Sequence, residues 1–248
     1  MIPKTIHYCW FGRKPLPASV KHYMATWKKH LPNYKIIEWN EDNFDVNMCR
    51  FTREAYEMKK YAFVSDFARI YILYHYGGLY LDTDVEILKS FDVFMKNDFF
   101  MGYESDTQLG TSVIGSVAKY HLLGKLLDYY ENTAFVIDGN KLNATPNTVI
   151  ISKIFRKEGF SVDNKLYEKD GIAFYPMDYF SPLILSTNRL KTTHKTYSIH
   201  HYTGTWAPKY YLMERAFWRL FHIKNMKLCL RLVNLVKHGK PSGELFMK

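Results

Sequence analysis

Cysteine is scarce. Only Cys9, Cys49 and Cys229 occur in 248 residues, and their odd number and wide spacing match neither a zinc site nor a disulfide framework. That excludes a small scaffold held by disulfides and fits a reducing compartment. No apolar run reaches the roughly 20 residues of a membrane-spanning helix. The most apolar stretch is broken by Asp66, Arg69, His75 and a pair of glycines. The start lacks the charged, apolar and small-residue segments of a secretory signal, since Met1 leads almost directly into strand-like sequence. Internal repeats and low-complexity tracts are missing as well. From these absences we expect a cytoplasmic protein.

Acidic residues are few: 24 Asp and Glu stand against 34 Lys and Arg, a formal charge of +10. The imbalance is concentrated near the end, where Tyr211 to Lys248 hold eight Lys/Arg against Glu214 and Glu244. Such asymmetry points to an anionic partner, whether a membrane surface, nucleic acid or an acidic glycan. In the same stretch Phe217, Leu220, Phe221, Leu228, Leu232 and Leu235 recur beside Arg215, Arg219, Lys227 and Arg231. An apolar face flanked by cations describes a helix lying in a bilayer interface, and equally a helix capping a sheet.

What is abundant is core material: 47% of residues are hydrophobic and 17% aromatic, with 20 Tyr. That suffices for one sizeable α/β domain, expected over residues 1–210, with a basic helical appendage over 211–248. Lys4 to Phe11 reads as a first strand, Ser19 to Leu31 as a helix with Val20, Met24, Trp27 and Leu31 on one face, and Tyr34 to Trp39 as a second strand ending at Asn40. Thr52 to Lys60 looks like a short charged helix. Strand and helix in alternation predict a mixed, mostly parallel sheet with helices on both faces. Further on, Asp98 to Glu104 suggests a strand, Asp106 to Gly115 a loop, Lys119 to Glu131 an amphipathic helix, and Ala173 to Tyr175 an edge strand. Asn143 to Thr148 (NATPNT), which includes Asn147, reads as a turn-rich loop able to line a pocket.

The densest signal lies in Tyr61 to Glu86, YAFVSDFARIYILYHYGGLYLDTDVE. Apolar residues on all sides from Tyr61 to Tyr76 predict a helix buried in the core. Asp66 and Arg69, three apart, share a face and can brace one another or a ligand. Gly77 stands where a C-cap is wanted, and Leu79-Tyr80-Leu81 suits a buried strand. Asp82 and Asp84 at alternate positions would then point the same way, with Cα atoms roughly 7 Å apart. Two carboxylates leaving a buried strand together call for a cation between them. Oxygen ligands suit Mg²⁺ or Mn²⁺ bound with substrate phosphates, at the strand ends where open α/β sheets bind ligands.

The run S-D-F-A-R-I-Y-x-L-x-x-x-G-G-x-Y-L-D-T-D resembles the signature of glycosyltransferase family 32, the D-x-D sugar transferases, and is similar to the glucosylating domains of large clostridial toxins. The resemblance implies an A-type glycosyltransferase fold, the nucleotide-diphospho-sugar transferase type. It puts Asp66 and Arg69 on the donor sugar, Asp82 on ribose and sugar, and Asp84 on the metal. It sets Trp10 against the nucleotide base, with core packing as the alternative, and Asn40 near the nucleotide, with a turn role as the alternative. Ser198 to Trp206 (SIHHYTGTW) resembles the family's closing segment, so His201 is expected as the third metal ligand, His200 facing away, Gly204 beside the diphosphate and Trp206 closing the site. Imidazole favours Mn²⁺ over Mg²⁺.

The function expected is a retaining, metal-dependent transfer of a sugar from a nucleotide-diphosphate donor, a UDP-sugar first of all. The acceptor would be a glycan or lipid-linked glycan in surface polysaccharide (capsule) synthesis, made at the inner face of the cell membrane. Two alternatives use the same features differently. A metal-dependent nuclease or phosphodiesterase would also cluster carboxylates, and a non-catalytic basic module would bind membrane or nucleic acid through the tail alone.

Overall fold

The computed structural model describes residues 1–138, 141–184 and 189–203. In chain order the elements are β1 (Thr5–Cys9), α1 (Ala18–His30), β2 (Lys35–Trp39), α2 (Arg50–Glu57), α3 (Tyr61–Tyr76), β3 (Gly78–Leu81) and β4 (Val85–Ile87). There follow β5 (Phe99–Ser105), β6 (Gln108–Ser116), α4 (His121–Glu131), α5 (Asn147–Lys157), β7 (Tyr167–Lys169), β8 (Ile172–Tyr175) and α6 (Met177–Phe180). The last are β9 (Leu183–Ile184), β10 (Arg189–Leu190) and β11 (Ser198–His200). The chain divides into two compact units, 1–183 with 191–201 and 184–190 with 202–248. The expected boundary at residue 210 and the expected basic helices of 211–248 lie outside the described residues.

A seven-stranded sheet in the order β2-β1-β3-β6-β5-β8-β7 lies wholly in the first unit. β1 pairs in parallel with β2 and β3, and β5 with β8, while β6 and β7 run against their neighbours. The sheet is therefore mixed, with all but β6 and β7 running one way, as the alternation of strands and helices predicts.

Strand alternation sorts the core into two layers. Cys9, Tyr80, Phe99, Met101, Tyr103 and Phe174 face one side, where α2, α3, α4 and α5 contribute Phe51, Phe67, Leu126 and Phe155. Ile6, Tyr8, Leu79, Leu81, Phe100 and Tyr175 face the other, against Trp27 of α1 and Phe180 of α6. Helices thus cover both faces. Helix α3 is apolar all round because it is enclosed: Val64, Phe67, Ala68, Ile70, Ile72 and Leu73 are all buried. Among the described residues no helix is long and apolar enough to cross a membrane.

The expected loop over Asp106 to Gly115 is instead the long strand β6, buried from Leu109 to Ser116. Its glycines answer to packing. A Cβ on Gly115 would stand 2.0 Å from Phe100 Cε1, so the aromatic ring of the neighbouring strand occupies that space. Ala173 to Tyr175 belongs to β8, which is flanked by β5 and β7 and is not an edge. The loop expected over Asn143 to Thr148 ends early, since α5 already begins at Asn147.

Candidate active site at the end of β3

Three adjacent parallel strands, β2, β1 and β3, end together, and the residues following them are Asn40, Trp10 and Asp82. The turn from α3 into β3 sets where Asp82 emerges. Gly77 has φ +63° and ψ −167°, a region open only to glycine. Gly78 has φ +106°, and a Cβ there would lie 2.7 Å from the Thr5 carbonyl oxygen and 2.9 Å from His7 Nε2. His7 clamps the turn. Its Nδ1 accepts from Trp39 Nε1 at 3.0 Å, so its proton is on Nε2, which donates to the Gly77 carbonyl at 3.0 Å. Burial lowers the His7 pKa to about 4, keeping the ring neutral.

Strand β3 ends at Leu81, so Asp82 and Asp84 do not alternate along a strand as the spacing suggested. They flank a tight turn. Asp82 N–H donates to the Ser112 carbonyl at 2.9 Å, and Val85 N–H donates back to the Asp82 carbonyl at 3.0 Å. The two carboxylates still converge, through the turn rather than through the pleat.

Behind them, Arg69 joins helix to turn. Its guanidinium lies 3.1 Å from Asp66 Oδ1 and 3.2 Å from Asp82 Oδ1, and donates to the Thr111 carbonyl at 2.9 Å and to Thr111 Oγ1 at 3.1 Å. The expected pairing of Asp66 with Arg69 is present. Burial opposes the charge on Arg69, but Asp82, Tyr80 and Asp66 outweigh it and hold the group firmly protonated. Asp66 also accepts from Asn147 Nδ2 at 2.6 Å. Burial pushes the Asp66 carboxyl up to about 7, against the pull of Arg69 and with Asp82 and Glu104 adding to the rise. Tyr80 donates from its hydroxyl to Asp82 Oδ1 at 3.1 Å, under the Arg69 guanidinium 4.7 Å from its ring centre.

Strand β11 pairs antiparallel with β4, setting His200 opposite Val85, while His201 N–H donates to the Asp84 carbonyl at 3.0 Å. That register turns His200 toward the carboxylates. His200 Nε2 lies 3.3 Å from Asp84 Oδ1, and one ligand atom each from Asp82, Asp84 and His200 falls within 4.8 Å of the others. His201, the expected ligand, faces the other way: its Nε2 is 2.8 Å from Glu86 Oε2, and its ring stacks on Tyr23 with centres 4.4 Å apart. The two histidines oppose each other as strand geometry requires, and it is His200, not the expected His201, that lies beside Asp84. Burial works against protonation of His200, while Asp84 first, then Asp82 and Glu104, raise its pKa. Two carboxylate oxygens and an imidazole nitrogen, gathered where negative charge accumulates, fit a divalent cation.

Trp10 donates from Nε1 to the Lys14 carbonyl at 2.6 Å and rests partly buried on the core. Asn40 holds the turn after β2, accepting from Asp42 N–H and donating to Glu38, each at 2.9 Å. Both residues therefore stand on the edge of the sheet where β1 and β2 end, and Asn40 also holds the turn there. Gly204 and Trp206 lie outside the described residues. The sequence pattern gives no role to two residues of this site, Thr111 within the apparent loop and Tyr80 within the apolar strand, and it names no partner for Asn147.

Residues 17–101 match the protein family described as glycosyltransferase sugar-binding region containing DXD motif. An uncharacterized glycosyltransferase of Acanthamoeba polyphaga mimivirus is 28% identical over 218 residues, 84% of this chain and 85% of that protein. Inositol phosphoceramide mannosyltransferase 1 of Schizosaccharomyces pombe is 27% identical over 42% of this chain and 37% of its own length. A mannosyl phosphorylinositol ceramide synthase of Saccharomyces cerevisiae is 27% identical over 51% of this chain and 35% of its own length. The chain thus spans little more than a third of these two yeast proteins. Among solved structures, PaToxG glycosyltransferase aligns over 63% of this chain and 69% of its own at 20% identity and a TM-score of 0.49, too slight a likeness to bear weight. The segment that matches this family contains Asp66, Arg69, Asp82 and Asp84, the residues on which the resemblance was read.

Proposed function

We propose that the chain is a metal-dependent glycosyltransferase in which Asp82, Asp84 and His200 hold Mn²⁺ against the diphosphate of a nucleotide sugar. The observation that carries this reading is the meeting of those three side chains within 4.8 Å, inside and opposite the D-x-D segment. When bound, the ion supplies Lewis-acid stabilisation of the charge that develops on the leaving diphosphate. The chain's own residues do the rest. Arg69 and Asp66, locked together, present a guanidinium and a carboxylate to the sugar hydroxyls, and Asn147 fixes the Asp66 carboxylate. Trp10 offers a ring to the base, and Asn40 lines the nucleotide side.

Transfer proceeds with retention by front-face attack of the acceptor hydroxyl, which needs no nucleophile from the protein. UDP is the first nucleotide to try, and because the names of the yeast relatives specify a mannosyl group, a mannose donor on a second nucleotide, GDP, belongs in the panel beside it. Those names also favour a polar lipid headgroup or lipid-linked glycan as acceptor, met at the inner face of a membrane by the basic segment 211–248. Synthesis of a surface polysaccharide is the process in which such a transfer would serve.

The test is nucleotide release from a panel of UDP- and GDP-sugars with Mn²⁺. One donor should be cleaved, and Asp84→Ala should lower the rate by roughly a thousandfold with the fold intact. Absence of cleavage across the panel, or equal rates in Asp84→Ala, would overturn the reading.

A further inference from the structure

Strand β5 ends beside the site, and the side chain of its penultimate residue, Glu104, acts on Asp66 and His200 electrostatically but belongs to none of the hydrogen bonds or ion pairs described above. Phe100, Gly102 and Glu104 share one face of β5 by alternation, the face opposite Tyr103. The β5–β6 register shifts between Tyr103 and Ser105, so Glu104 sits at a bulge, a device that re-aims a side chain. Gly110 makes the room. A Cβ there would lie 3.1 Å from Glu104 Cβ and 3.5 Å from Glu104 Oε2, so the carboxylate arm lies across a position where β6 has no side chain.

Among the described residues the Glu104 side chain makes neither a hydrogen bond nor an ion pair, and it is half-buried. It lies within electrostatic reach of His200, Asp82, Arg69 and Asp84, and acts on Asp66 as well. Burial lifts its carboxyl above the usual range, with His200 opposing, Asp82 adding, Arg69 opposing and Asp84 adding. A half-buried carboxylate with no protein donor among the described residues is open to accept hydrogen bonds from a ligand.

Strand order says which part of a ligand that is. Trp10 and Asn40 follow β1 and β2, on one side of Asp82, whereas β5 lies on the other side, beyond β6. With the nucleotide on the β1–β2 side and its diphosphate at Asp82 and Asp84, the sugar comes to the β6–β5 side. Asp66 and Arg69 approach it from the face of the sheet that α3 covers, and Glu104 lies on the opposite face, beside Gly110.

We propose that Glu104 is a specificity-determining residue that accepts hydrogen bonds from hydroxyls of the transferred sugar and selects a neutral sugar over a uronate. The selection follows from charge. Asp66, Asp82, Asp84 and Glu104 would share one guanidinium and, when it is bound, one divalent cation, so a further carboxylate on the sugar would meet Glu104 uncompensated. This inference rests on the glycosyltransferase reading.

The experiment is calorimetric binding to the full chain in Mn²⁺ of UDP, UDP-glucose, UDP-glucuronate, GDP and GDP-mannose. It is run on the wild type, Glu104→Gln, Glu104→Asp and, as a control, Asp84→Ala. In the wild type a neutral sugar nucleotide should bind more tightly than its nucleoside diphosphate, and the uronate more weakly. Glu104→Gln should weaken the neutral sugar nucleotide by roughly tenfold or more, leave the nucleoside diphosphate unchanged and narrow the gap to the uronate. Glu104→Asp should fall between, and Asp84→Ala should weaken every ligand. If Glu104→Gln changes nucleoside diphosphate and sugar nucleotide equally, or changes neither, the proposal is wrong. If the wild type binds no nucleotide with Mn²⁺, the glycosyltransferase reading itself fails.

Discussion

Arg69 touches both halves of the site, Asp66 on the helix and Asp82 on the turn, and it reaches Thr111 on β6 as well. A planar guanidinium with several fixed donors can serve three partners at once, which a lysine cannot. Arg69→Lys keeps the charge but abandons at least one of them. It should lower donor cleavage by about a hundredfold while the melting temperature falls only a few degrees, as nucleotide-release assays and thermal melts would show. Asp66 and Arg69 were legible in the sequence because i, i+3 spacing on a helix is local. The choice between His200 and His201 was not. Alternation alone says that they oppose each other, and only the pairing of β11 with β4, over a hundred residues apart in the chain, says which one meets Asp84.

The element that aims the D-x-D turn is the junction of α3 with β3, and its rigidity comes from Gly77, Gly78 and His7. Gly78→Ala would place a methyl group against the Thr5 carbonyl at a φ of +106°. It should cost about 2–3 kcal/mol in chemical denaturation. His7 makes the same junction sensitive to acid. Its pKa is about 4 in the folded protein against an ordinary 6.5, so the unfolded chain takes up the proton first. The contribution is full above about pH 6.5 and is lost as pH falls toward 4, up to about 3 kcal/mol. Urea midpoints of the wild type should decline across that window, and His7→Gln should flatten the slope. The helix and the glycine pair could be read from sequence because an all-round apolar run admits few alternatives. Strand β6 could not, since Gly110, Thr111, Ser112 and Gly115 look like a loop until Phe100 is seen to fill the space above Gly115.

At the scale of the molecule, strands and helices in alternation were enough to predict a mixed sheet covered on both faces, because hydrophobic periodicity is a local property. The long-range order of strands was not available from that pattern, and it is this order that sets Asn40, Trp10, Asp82 and Glu104 along one edge. The basic segment 211–248 is proposed as the membrane-facing part. Its removal should abolish binding to phosphatidylserine-containing vesicles in a co-sedimentation assay, and unchanged binding would refute that role. The central claim, a cation held by Asp82, Asp84 and His200, is tested most directly by electron paramagnetic resonance titration of Mn²⁺ into His200→Ala and His201→Ala. The account predicts that His200→Ala loses at least tenfold in Mn²⁺ affinity and His201→Ala far less. Wild-type affinity in His200→Ala, with the loss in His201→Ala, would contradict it.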